Sequence, residues 1–146
     1  MPTGNLSISL TTQDSATEPL GTYLGSPSIS ATTVLTSTAI PKLYQANQAA
    51  TSSVVTLQVN NASLSNAFGT ALTYVTVACV VIQNTGAANL VVGAGTHPLF
   101  GSDSYTIQPG QTLVVSNVPI TVSSTVNIIT ITPAASTTWK IMILGS

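Results

Sequence analysis

The chain has 146 residues, of which 44% are hydrophobic, and only five are charged: Asp14, Glu18, Lys42, Asp103 and Lys140, giving a formal net charge of −1. That length suits one domain with one core, while the charged fraction of 3% falls far below the roughly 25% of ordinary soluble domains. Two isolated lysines cannot supply the basic footprint that displaces phosphate counterions, and no apolar run reaches the roughly 18 residues of a membrane helix, so neither a nucleic-acid partner nor a membrane is expected.

In chain order, the first 52 residues read as an amino-terminal arm with edge strands and residues 53–146 as a β-sandwich core, together one domain. Leu6-Ser-Ile-Ser-Leu10 and Ile29 to Leu35 each suit a strand. Between them Gln13 to Pro27, with Pro19, Pro27 and two of the three acids, reads as an extended arm. Proline fixes φ and donates no hydrogen bond, which suits such a segment. An isolated arm cannot offset an ordering entropy of about 1–2 kcal/mol per residue, and it is expected to contact a neighbouring subunit. Leu43 to Ala50 is ambiguous and could form one or two helical turns.

From Ser53 onward the strand signals are strong. Ser53 to Asn60 alternates, with Val55, Leu57 and Val59 on one face. Leu72 to Gln83 is apolar on both faces, as in the middle of a covered sheet, and Asn84 to Asn89 turns the chain. Leu90-Val-Val92 is a short strand and Thr96 to Ser102 an irregular loop. Tyr105 to Gln108 and Thr112 to Val115 flank Pro109-Gly110, which fits a type II turn and reads as a hairpin. Ile120-Thr-Val122, Val126 to Thr132 and Thr138 to Leu144 complete the set, with Trp139, Ile141 and Ile143 on one face of the last. About eight to ten short antiparallel strands are expected. The fold class is all-β: a β-sandwich, jelly-roll-like, with an immunoglobulin-like sandwich as the alternative.

No constellation carries chemistry, so no catalytic, cofactor-binding or metal-binding residues are assigned and the chain is expected not to be an enzyme. His97, Asp103 and Ser104 lie close together in sequence but match no hydrolase motif, and there is no Gly-x-Ser-x-Gly elbow. One His, one Cys and three dispersed acids do not make a metal cluster within one chain. Cys79 sits in an apolar strand and reads as a buried small hydrophobe. Gly93-Ala-Gly95 lacks the third glycine and following helix of a dinucleotide fingerprint. Asn5-Leu-Ser7 and Asn61-Ala-Ser63 match the glycosylation pattern, which arises readily by chance in such a composition. Tyr23, Tyr44 and Phe100 are the aromatics freest to face a sugar. Met1-Pro-Thr-Gly-Asn-Leu6 shows neither a basic n-region nor an apolar h-region, so synthesis in a cytoplasm is expected.

Several short motifs carry a resemblance. Leu64-Ser-Asn-Ala-Phe-Gly69, Tyr74 to Ile82, Gln83-Asn-Thr-Gly86, Asn89-Leu-Val-Val-Gly93, Leu99-Phe-Gly101, Tyr105-Thr-Ile-Gln-Pro-Gly110 and Lys140-Ile-Met-Ile-Leu-Gly-Ser146 look like the rhythm of small virion proteins of bacteriophages. The likeness covers about the carboxy-terminal two thirds of the chain, and Gln111 stands where a second Gly would be typical. It implies a β-sandwich capsid, decoration or tail/neck component found in the virion, with no cofactor and no catalytic residue. Its partners would be itself, as a homo-oligomer, and another virion protein. A near-neutral surface, which lacks colloidal repulsion, agrees with association. The alternatives are a subunit of an extracellular filament or surface layer, and a carbohydrate-binding module.

Overall fold

A computed structural model describes residues 4–11, 14–18, 21–25, 28–35, 42–93 and 95–146, with side chains described for 42–93, 95–115 and 119–146. The described residues form strands and no helix. The chain divides into two compact units, Met1–Thr38 and Ala39–Ser146.

The first unit holds β1 (Gly4–Thr11), β2 (Asp14–Glu18), β3 (Gly21–Gly25) and β4 (Ser28–Leu35). β1 pairs with β4 and β2 with β3, both antiparallel and in one register, from Gly4 opposite Leu35 to Glu18 opposite Gly21. The segment expected to be an extended arm therefore contains a paired hairpin. Antiparallel pairing satisfies backbone groups that an extended arm would leave to water. Its prolines, Pro19 and Pro27, lie outside the described residues, and so does Pro2.

The second unit is a sandwich of two four-stranded antiparallel sheets. Its strands are β5 (Lys42–Thr51), β6 (Val55–Gln58), β7 (Leu64–Ser65), β8 (Ala71–Leu72), β9 (Thr76–Asn84), β10 (Leu90–Gly93), β11 (Ser104–Ile107), β12 (Thr112–Thr121), β13 (Ile128–Pro133) and β14 (Thr137–Gly145). One sheet has the order β11-β10-β13-β6, the other β12-β9-β14-β5, and β7-β8 is a small separate hairpin. Pairing is nested: β10 with β11, β9 with β12, β6 with β13 and β5 with β14. These eight strands thus behave as one long hairpin rolled over onto itself.

Alternation explains the core. On the first sheet Leu57, Leu90, Val92, Ile107, Ile129 and Ile131 point inward; on the second Val80, Ile82, Trp139, Ile141 and Ile143 meet them. β-branched residues crowd these positions because they fit a pleated, half-buried surface. Trp139 is 1% exposed, and β14 lies between β9 and β5, as its two-faced apolar pattern implies.

Three sequence expectations are corrected. Leu43 to Ala50 is not helical: it belongs to β5, where Tyr44 and Ala46 pack on the core while Leu43, Gln45 and Asn47 face away, an alternation of period two. The boundary drawn after residue 52 separates β5 from β6, two strands of one unit. Tyr105 to Val115 keeps its turn but is not a hairpin, because β11 and β12 lie in opposite sheets. The turn is a corner of the sandwich. Among the described residues there are fourteen strands: the eight of the two large sheets fall within the eight to ten expected, and the first unit's four with the two-residue β7 and β8 make up the rest.

Candidate interaction surfaces

The Pro109-Gly110 corner shows how local sequence fixes the geometry. Gly110 has φ +79° and the Gln111 amide donates to the Gln108 carbonyl at 3.0 Å, as a type II turn requires. Asn84, at the end of β9, is fully buried beneath this corner. Its Nδ2 donates to the Ala88 carbonyl at 2.7 Å and the Ile107 carbonyl at 3.0 Å, and its Oδ1 accepts from the Gly86 amide at 3.1 Å. Its backbone binds the same region: the Asn84 amide donates to the Gln111 carbonyl and the Gly110 amide to the Asn84 carbonyl, both at 3.0 Å. One side chain ties the end of β9, the next turn and the end of β11 together. Gly86 follows because a Cβ there would collide with Thr137 Oγ1 and the Thr138 amide nitrogen. The Asn-Thr-Gly motif is therefore structural, and so is Gly145, where a Cβ would strike the Thr76 carbonyl oxygen.

The residues weighed for chemistry fall as follows. His97 is exposed and has φ +54°, and its carbonyl accepts from the Asn127 and Ile128 amides at 3.1 and 3.0 Å. Asp103 and Ser104 are exposed where β11 begins. Among the described residues no hydrogen bond joins these three side chains, and no group of three or more His, Cys, Asp or Glu could hold a metal ion. Cys79 is 1% exposed, and burial pushes its thiol pKa up. Asn61 is exposed in a turn, with Nδ2 donating to Gln58 Oε1 and Oδ1 accepting from the Ser63 amide. Asn5 lies in β1. Tyr44 and Phe100 pack against the core; Tyr23 is in β3, where side chains are not described.

What the second unit offers instead is surface. Phe68 is 94% exposed at the tip of the β7–β8 hairpin. Asn66 holds that tip, its Oδ1 accepting from the Phe68 and Thr70 amides at 3.0 and 2.9 Å. A shallow groove runs between β11 and β12, lined by Tyr105, Thr106, Gln111, Thr112 and Leu113 among others, with Tyr105 40% exposed. The outer face of the second sheet carries apolar side chains in register across the strands, Val114 with Val81 and Met142, and Leu144 with Leu43. Composition could not reveal Phe68, since a lone aromatic in a turn reads the same whether it is buried or displayed. The free side of β5 was hidden by the ambiguity of its Ala- and Gln-rich sequence. No protein-family model, no curated protein and no solved structure matches the chain.

Proposed function

We propose that this chain is a non-enzymatic structural protein of a virus particle, a capsid, decoration or tail component that self-assembles and also meets another virion protein. The observation that carries this reading is the strand order. Apart from the adjacent pair β10 and β11, successive strands of the sandwich alternate between the two sheets, with the first beside the last and each later pair nested inside. That order supports the jelly-roll reading, a sandwich that recurs in viral capsid domains and also in lectins. The fold alone does not assign a function. The second support is the surface, which has few charges to repel a neighbour and carries apolar rows on an outer sheet face. The place of such a protein is the virion, after synthesis in the host cytoplasm.

Electron microscopy of the native source material, labelled with an antibody to this chain, tests the proposal. Label on DNA-filled particles is expected. Label on DNA-free fibres would replace it with the filament or surface-layer reading, and unlabelled particles would refute it. The groove beside Tyr105 favours one second reading, a carbohydrate-binding module, because an exposed ring next to hydroxyl and amide groups can stack on a sugar and bond it. Retention of the purified protein on a glycan resin, lost in Tyr105→Ala, would support that reading instead.

A further inference from the structure

The four edges of the two four-stranded sheets are not equally protected. An edge strand presents unpaired N–H and C=O groups, and proteins blunt such edges with short strands, prolines, bulges or charges. β6 and β11 are four residues each. β12 is longer, but its register shifts between Ser116 and Ile120 and it carries Pro119 there. β5 has no such interruption from Lys42 to Gln48, where every residue stays in register with β14. Its own shift comes only beyond Gln48. That stretch, Lys-Leu-Tyr-Gln-Ala-Asn-Gln, contains no proline and no acid. Among the described residues nothing pairs with its other side.

We infer that the free edge of β5 is an interface for a second copy of this chain, the two β5 strands pairing antiparallel about a two-fold axis so that the sheet runs on from one copy into the next. This rests on the self-assembly reading above and adds the surface and the partner. The edge is self-complementary. A two-fold pairing that matches core side to core side and centres on Gln45 uses all of Lys42–Gln48, setting Gln45 opposite Gln45, Leu43 opposite Asn47 and Tyr44 opposite Ala46. Backbone hydrogen bonds give such strand addition its affinity, and an isologous contact needs only one patch. Charge agrees. The one charged residue of the stretch is at its end, so the two Lys42 ammonium groups stand six residues from alignment, about 20 Å apart and beyond the roughly 10 Å screening length at 0.1 M salt. β12 cannot serve in the same way, because a proline offers no N–H to a partner strand.

Sedimentation of three chains tests this: the parent, Gln45→Lys/Asn47→Lys, and the control Thr112→Lys/Thr121→Lys on the edge of β12. All four positions are exposed, and like charges set opposite each other on paired strands repel. The β5 variant should keep the parent's circular dichroism while its association weakens by roughly 10-fold or more at low salt, and the control should associate like the parent. A β5 variant that associates as tightly as the parent overturns the inference and leaves self-assembly standing. A parent that stays monomeric at every accessible concentration overturns both. Should the lysine variant not fold, Gln45→Cys decides: air oxidation should give a covalent dimer while the buried Cys79 stays reduced, and a chain that forms none although assembled refutes the pairing.

Discussion

Asn84→Ala should destabilise the second unit more than any other single polar truncation, by about 2–6 kcal/mol. Three hydrogen bonds are lost at once. The Ile107 carbonyl is in a buried bond, so stranding it costs about 1–3 kcal/mol. Water can partly reach the Ala88 carbonyl and the Gly86 amide, whose bonds are part-buried, so each loss there costs about 0.5–1.5 kcal/mol. Against a usual total of about 5–15 kcal/mol, the loss should lower the urea midpoint with little change in m, read by far-UV circular dichroism. Asn84→Asp adds a diagnostic. It replaces two donors with a carboxylate facing two carbonyls, and burial raises the pKa of such an acid. The variant's deficit should therefore shrink as pH falls and the carboxyl gains a proton that it can donate. A deficit below about 1 kcal/mol for Asn84→Ala, or an Asn84→Asp deficit independent of pH, would refute the description of this corner as held by one side chain.

Other outcomes follow from the same geometry. Gly110→Val should cost roughly 1–3 kcal/mol because φ +79° strains a β-branched residue; nothing crowds that position, so an unchanged melting temperature would count against backbone strain. Trp139→Ala should cost about 3–5 kcal/mol, and the parent's Trp fluorescence should resist iodide. Stability should be flat in salt, with so few ion pairs to screen. At high pH it should fall. Burial raises the pKa of Tyr74 above its ordinary 10.0, and its hydroxyl donates to the Ile143 carbonyl at 3.2 Å. Above about pH 10 the unfolded chain ionises while the folded one holds its proton, so this stability is full below pH 10 and lost as pH climbs further. A Tyr74→Phe chain should lose less on the same titration, and equal losses would remove Tyr74 as the cause.

The sandwich was legible wherever burial and propensity agree. Val55, Leu57 and Val59, or Trp139, Ile141 and Ile143, alternate between core and outside with β-branched or aromatic residues on the core side, and period two then admits one reading. β5 was harder because Ala and Gln favour helices locally, and its strand state comes from pairing with β14, far along the chain, which no local window contains. The Pro109-Gly110 turn could be read from conformational preference, but not that it leads from one sheet to the other, because a type II turn specifies a reversal and not which strands pair afterwards. In the first unit, prolines and scattered hydroxyl residues masked a ladder whose partners, such as Leu6 with Thr33 and Ile8 with Ala31, show no pairing pattern in sequence. Asn84 could be seen only as a turn residue, since its role depends on carbonyls contributed by Ala88 and Ile107.

The nested pairing also sets an order of events during synthesis. β10 and β11 can meet as soon as both are made, then β9 with β12 and β6 with β13, each closing a longer loop at a greater entropic cost. β5 comes last although it is the first of these strands to be made, since among the described residues its one neighbour in the sheet is β14, with Lys42 opposite Gly145. A nascent or truncated chain without Thr137–Gly145 therefore has no ordered β5 edge to offer. The order of the β5 edge thus depends on β14, the strand of its sheet farthest from it along the chain.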